Sequence, residues 1–314
     1  MRIPVYLFVG FIESGKTKFV QELLAGDDFN SGERTLLLLC EEGVEAYDEK
    51  NFFAPNIFIE KISSEGELTP QNLGWLQRKH RVERIIVEYN GMWLLEKLMS
   101  AMPVEWETAQ MITFFNGESF LSYNTNMRQL VFDKMVGTDM VVFNRCNRDT
   151  IDKEQLRKIV RGASRTSMIL YEYDYGDVES DDTPVELPYD MTKDTLEIED
   201  KYFAEWYRDL NENLDAYDNK KVIVKGRAVI GGDLPAQYFI FGRHLMTCCV
   251  DDISFAGILV KADNPPVLHG KWYLLEGVIH VEQAEPYGKE PGPVIYFEKA
   301  KPTPPAVPEV AAFY

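Results

Sequence analysis

A chain of 314 residues, 45% hydrophobic and 27% charged, is long enough for two domains with cores of their own. Its formal net charge of −18 excludes nucleic acid as a partner, because binding a phosphate backbone takes a basic footprint. No apolar stretch approaches the roughly 18 residues of a membrane span, and the opening "MRIPVYLFVG" is too short for a signal peptide, so neither is expected.

The first element is an apolar strand, Val5 to Val9, running into Gly10. Gly10, four residues, then Gly15, Lys16 and Thr17 have the spacing of a P-loop, and each residue type has a task there. Backbone N–H groups of the turn, with Ser14 and Gly15 among them, point inward at phosphate, and the following helix presents its positive end. Lys16 reaches the β- and γ-phosphates, and the Thr17 hydroxyl serves Mg²⁺. Glu13 is out of keeping with this cradle, since most P-loops carry a small residue there. Its carboxylate either turns to solvent or faces the phosphates and weakens binding.

Apolar runs suited to buried strands recur at 35–40, 56–62, 84–88, 110–115, 139–144 and 167–173. Helix-like stretches lie between most of them: Thr69 to Lys79 with Pro70 at a first helical position, Leu94 to Ala101, Phe120 to Met135, and Asp152 to Val160. Such alternation predicts an α/β domain with a mainly parallel sheet and its ligands at the carboxyl ends of the strands, where Gly10 to Thr17, Glu41 and Glu88 fall. Glu88, ending "RIIVE", is placed to complete a Mg²⁺ shell, and the Gly91 N–H to approach a γ-phosphate. Asn144, ending "DMVVFN", opens a loop suited to reading a base.

From Glu172 to Asp218, seventeen Asp and Glu stand against three Lys and Arg, a net of −14, which reads as a solvated face or linker. Within it, Glu199 to Leu214 reads as an amphipathic helix joining two domains. Five strand-like segments follow between residues 220 and 301, with turn residues between them, and fit a small all-β barrel of the OB type. The expected organisation is thus a P-loop NTPase domain over 1–190, an acidic linker helix over 191–218, a barrel over 219–301 and a Pro-rich tail over 302–314, extended or disordered.

Four cysteines, Cys40, Cys146, Cys248 and Cys249, supply no disulfide framework and point to a reducing cytoplasm. Cys248 and Cys249 read either as small buried hydrophobes or, with His244, Asp251 and Asp252 close by, as donors for Zn²⁺. Adjacent strand residues face opposite ways, so both thiols reach one ion only where the chain bends. Glu41, Glu45 and Asp48 are an alternative set for a hard ion such as Mg²⁺. His80, His269 and His280 read as surface or core residues.

Residues 1 to about 172 resemble the CobW-like metallochaperone GTPases in five segments in register. "VGFIESGKT" is similar to that family's "TGFLGAGKT", "CEEGVEAYD" to its "NEFGEVGID", "VEYNG" to its "ETTG", "TFFNGESF" to its "TVVDAENF" and "FNRCNRD" to its "LNKTD". The resemblance implies that Lys16 and Thr17 hold phosphate and Mg²⁺, that Glu41 and Glu88 serve the metal or the attacking water, and that Asn144 faces the purine of GTP. Two departures stand out. The family's Cys-x-Cys-Cys metal motif is absent from "EKNFFAPNIFIEKI", and Asn147 stands where an Asp accepts both guanine N–H groups, with Asp149 as a substitute if the loop shifts.

The second half, over residues 219 to 301, resembles the soluble subunit of YcgQ-like two-component permeases, with "FGRHLMTCCVDDISFAGILV" similar to its "RFVMTCCVADAQPVGLLV". Two functions follow from these readings. One is a GTP-preferring switch whose 41–48 loop responds to nucleotide and alters the barrel's grip on a metal or a protein. The other is a nucleotide-binding scaffold with little turnover that docks on a membrane permease.

Overall fold

The computed structural model describes every residue except Met1, Asp28, Asn30, Ser31, Asp174, Tyr175, Val185, Gly232, Asp233, Cys248, Cys249, Val250, Asp251, Asp252, Asn264, Pro265, Lys289 and Tyr314. The chain divides into two compact units, Met1–Thr183 and Pro184–Tyr314.

The first unit alternates strands and helices: β1 (Ile3–Gly10), α1 (Lys16–Ala25), β2 (Thr35–Leu39), β3 (Ile57–Lys61), α2 (Pro70–His80), β4 (Arg84–Glu88), α3 (Leu95–Ala101) and β5 (Trp106–Asn116). It continues with α4 (Phe120–Asn126), α5 (Arg128–Met135), β6 (Met140–Cys146), α6 (Lys153–Ala163), β7 (Met168–Tyr173) and β8 (Val178–Ser180). These strands form one sheet in the order β3-β2-β4-β1-β5-β6-β7-β8, parallel throughout except for the antiparallel pair β7 and β8. The α/β, mainly parallel expectation holds. The apolar runs become strands because a sheet covered on both faces buries successive residues; all five positions of β4 are buried.

Local chemistry sets the helix ends. Thr69 Oγ1 accepts the Asn72 N–H at 3.2 Å and Asp152 Oδ1 the Gln155 N–H at 3.0 Å, capping α2 and α6. The single helix expected from Phe120 to Met135 is two helices, parted at Met127 with φ −136° and ψ 44°. Just before the break, the Thr125 hydroxyl and the Asn126 amide donate to the Leu121 and Ser122 carbonyls, both at 2.8 Å, so polar side chains bind the backbone where a helix would propagate. The start of the acidic stretch is also more structured than a solvated run. Tyr171 and Arg157 hold Asp181 at 2.9 and 3.1 Å, and Lys153 holds Glu179 at 2.6 Å, which fixes β8 against β7 and α6.

The second unit consists of β9 (Thr195–Glu197), α7 (Phe203–Glu212), α8 (Leu214–Tyr217), β10 (Lys221–Val229), β11 (Tyr238–Met246), β12 (Ser254–Lys261), β13 (Trp272–Glu282), β14 (Gly292–Pro302) and β15 (Ala311–Ala312). Five strands close a barrel: β10 pairs with β11 and β13, β11 with β12, β12 with β14, and β14 with β13. All these pairings are antiparallel except β12 with β14, and the circuit is the expected OB-like barrel. Strict alternation along β10 turns Val222, Val224 and Ala228 inward. The helix α7 joins the same core through Phe203, Trp206 and Leu210. At the tail, β15 pairs with the end of β11, and the buried Arg243 guanidinium donates to the Pro308 carbonyl.

Candidate functional site: the phosphate cradle

The cradle gathers at the carboxyl ends of the strands, with Lys16 and Thr17 opening α1 after the loop that follows β1. Gly10 ends β1, Glu41 follows β2 by two residues, Glu88 ends β4, and Asn144 lies near the end of β6. A Cβ on Gly15, whose φ is +96°, would meet the Asn144 amide, so only glycine fits that turn. Asn144 is buried, and its Nδ2 donates to the Ser14 carbonyl, tying the base-side loop to the cradle. The Asn144 Oδ1 and Ser14 Oγ are buried without a hydrogen-bond partner, the unmet capacity expected around a site shaped for something polar.

Lys16 is 2% exposed. Its ammonium donates to the Gly10 and Phe11 carbonyls at 2.9 Å each and, thirdly, to Glu41 Oε1. The other oxygen of Glu41 accepts the Gly91 N–H at 3.3 Å. Gly91 itself lies flat on the loop, since a Cβ there would come within 2.6 Å of the Phe11 Cα. Thr17 Oγ1 donates to Glu88 Oε1 at 2.7 Å, and the Tyr47 hydroxyl donates to the second Glu88 oxygen. Burial and the Glu88 carboxylate raise the Tyr47 pKa, which keeps the phenol protonated as a donor. Lys16, Thr17, Glu41 and Glu88 therefore meet in one cleft of about 250 Å³, which Glu13 and Arg145 also line.

Glu13 is exposed and has a left-handed φ of 59°, so the loop needs this conformation whatever the side chain does. The Arg145 guanidinium donates to the Glu13 carbonyl at 3.0 Å and so supports the loop from the base side. The sequence reading missed Arg145; its one signal was its position directly after Asn144 at a strand end. Glu13→Gly removes an exposed charge, worth up to about 1 kcal/mol or fivefold in affinity, and releases roughly 1 kcal/mol of left-handed strain. Urea denaturation should show the variant more stable. A loss of stability would contradict this account of Glu13.

Asn147 is exposed, and its Oδ1 accepts the Asp149 N–H at 2.9 Å, closing a turn of its own; Asp149 is exposed as well. Of the alternative hard-ion set, Glu41 and Glu45 line the same cleft, and Asp48 is engaged elsewhere. Glu41 is held on Lys16, Glu45 is exposed, and Asp48 caps a short 3-10 turn by accepting the Lys50 N–H at 3.1 Å. Among the described residues, no group of three or more His, Cys, Asp and Glu is arranged to hold a metal. Burial pushes the Cys40 thiol up to about 12, with Glu41 and Glu88 adding to the effect, so it is protonated at neutral pH. Burial pushes Cys146 up to about 12 too. Cys248, Cys249, Asp251 and Asp252 lie outside the described residues; His244, on β11, stands edge-on to the Phe255 ring at 5.4 Å.

The barrel strands and the elements before them define the second unit. Residues 176–309 match the DUF1980 C-terminal domain. The match to the DUF1980 C-terminal domain takes in all five barrel strands together with β8, β9, α7 and α8. Among solved structures, the chain is similar to the hydrogenase maturation factor HypB from Archaeoglobus fulgidus, 14% identical, with 55% of this chain and 81% of that chain covered at a TM-score of 0.39. At that score the likeness carries no argument about function. No curated protein matches. No helix among the described residues is long and apolar enough to cross a membrane.

Proposed function

We propose that the first unit is a purine nucleotide-binding P-loop switch, a GTPase of the CobW-like metal-homeostasis type, acting with a metal ion or a membrane permease. The observation that carries this reading is the buried Lys16 held over the cradle, with Thr17 and Glu88 hydrogen-bonded beside it. The donor set fits a magnesium nucleotide: an ammonium and loop N–H groups for phosphate, and a hydroxyl with a carboxylate for a hard cation. In that role Lys16 neutralises the β- and γ-phosphates, Thr17 and Glu88 hold Mg²⁺, and Asn144 fixes the loop beneath the purine. The bound ion supplies charge neutralisation at the phosphates.

A second reading, a scaffold with little turnover that docks through its barrel, is favoured by Glu88. Both of its oxygens already accept hydrogen bonds, from Thr17 and Tyr47, which ties the carboxylate to the protein's own donors. Nucleotide and metal analysis of the purified protein, followed by turnover with GTP, ATP and XTP, tests both. Bound purine nucleotide with magnesium-dependent hydrolysis is the expected result. Bound nucleotide without hydrolysis selects the scaffold, and no nucleotide under any condition refutes the first reading. Zinc in the analysis would assign a metal to the chain; its loss on Cys248→Ser with Cys249→Ser would locate that metal in the barrel.

A further inference from the structure

Lys16 has three N–H donors, and the chain uses all three. Two go to backbone carbonyls of the cradle, which cannot leave without dismantling it. The third goes to Glu41, a side chain at the start of a segment, 42–46, that is exposed throughout. The same carboxylate also takes the Gly91 N–H, so its two oxygens join the two donors that would otherwise meet a terminal phosphate. Lys16 and Glu41 side chains are 2% and 9% exposed, so the pair is shielded from water and salt.

We infer that Glu41 stands in for the terminal phosphate and makes the cradle discriminate against nucleoside triphosphates relative to diphosphates. This rests on the nucleotide-binding reading above. A β-phosphate lies in the N–H cradle between Gly10 and Thr17 and leaves Glu41 on Gly91. A γ-phosphate has to displace the carboxylate from both donors, or meet it as a like charge a few Å away. Displacement detaches the exposed 42–46 segment from Lys16, so a third phosphate is reported at the surface of the unit.

The test is calorimetric titration of wild type, Glu41→Gln and Glu42→Gln with GDP, ADP and the β,γ-imido analogues of GTP and ATP, each with Mg²⁺. Glu42 is exposed and pairs with Lys61, so its variant controls for removing one charge nearby. Glu41→Gln is expected to raise the preference for triphosphate over diphosphate at least tenfold, and Glu42→Gln to leave it unchanged. Without nucleotide, Glu41→Gln should also melt at a lower temperature, because Lys16 loses its charged partner. An unchanged preference overturns the inference. So does a reduced one, which would show that Glu41 assists the triphosphate through the metal. If no protein binds any of the four nucleotides, the nucleotide reading itself fails and takes this inference with it; the other outcomes leave that reading standing.

Discussion

Lys16→Ala should weaken binding of a magnesium nucleoside triphosphate by at least about 100-fold, because it removes the buried cation at the floor of the cradle. One charge-assisted hydrogen bond from a buried ammonium contributes roughly 1.5 to 3 kcal/mol, and the loss of the cation's attraction for the remaining phosphate charge brings the total to the 2.8 kcal/mol or so that a factor of 100 represents. The variant also leaves Glu41, with a side chain 9% exposed, facing the Gly10 and Phe11 carbonyls without a cation between them. Some loss of stability is therefore expected, and circular dichroism must show the variant folded before its affinity is read. A folded Lys16→Ala protein with wild-type affinity by calorimetry would mean that nucleotide, if it binds, binds elsewhere.

Trp206→Ala should destabilise the second unit by about 3 to 5 kcal/mol, the usual cost of deleting a fully buried large aromatic side chain. The Trp206 ring is 0% exposed, lies edge-on to Phe203 at a centroid distance of 5.6 Å, and belongs to the same core as Val222, Leu275 and Ile279. Its indole N–H has no hydrogen-bond partner, so the substitution removes packing alone. Urea titration of the full chain, followed by the near-ultraviolet signal of the barrel tyrosines, measures the effect. A loss below about 1 kcal/mol would show that α7 is an appended linker rather than part of the barrel's core.

Much of this arrangement is legible in the sequence, for a reason particular to each element. "RIIVE" is read as a strand to the residue because its continuous apolar run, Ile85 to Val87, is bounded by charged residues that are themselves buried at the strand ends. The barrel strands are legible through alternation and turn residues, and the cradle through spacing. What is not legible depends on groups far apart in the chain. Nothing near Glu41 says that its carboxylate spans Lys16 and Gly91, which lie 25 residues before it and 50 after it. The break at Met127 escapes a reading based on apolar periodicity because side-chain hydrogen bonds to the backbone leave that periodicity intact. Arg145 escapes because a lone arginine at a strand end reads as surface charge until the loop it supports is in view. The acidic stretch is read by its total charge, whereas Asp181 and Glu179 belong to Tyr171, Arg157 and Lys153 on neighbouring elements.

The circuit of the barrel bears on the order in which the chain acquires its structure. Strand β10 finds one partner close by in β11, but its other edge waits for β13, so Val224 must meet Leu275. The seam between β12 and β14 closes later still, with Leu259 opposite Val294. During synthesis the first unit has all eight of its strands once Thr183 has emerged, and it can collapse while the rest is still being made. The second unit cannot complete its ring until more than a hundred further residues are available. Pairings this distant in sequence are slow to form and leave strand edges open meanwhile. The stretch from β10 to β14 is therefore where a ribosome-bound or heat-stressed chain is exposed to chaperones and to aggregation.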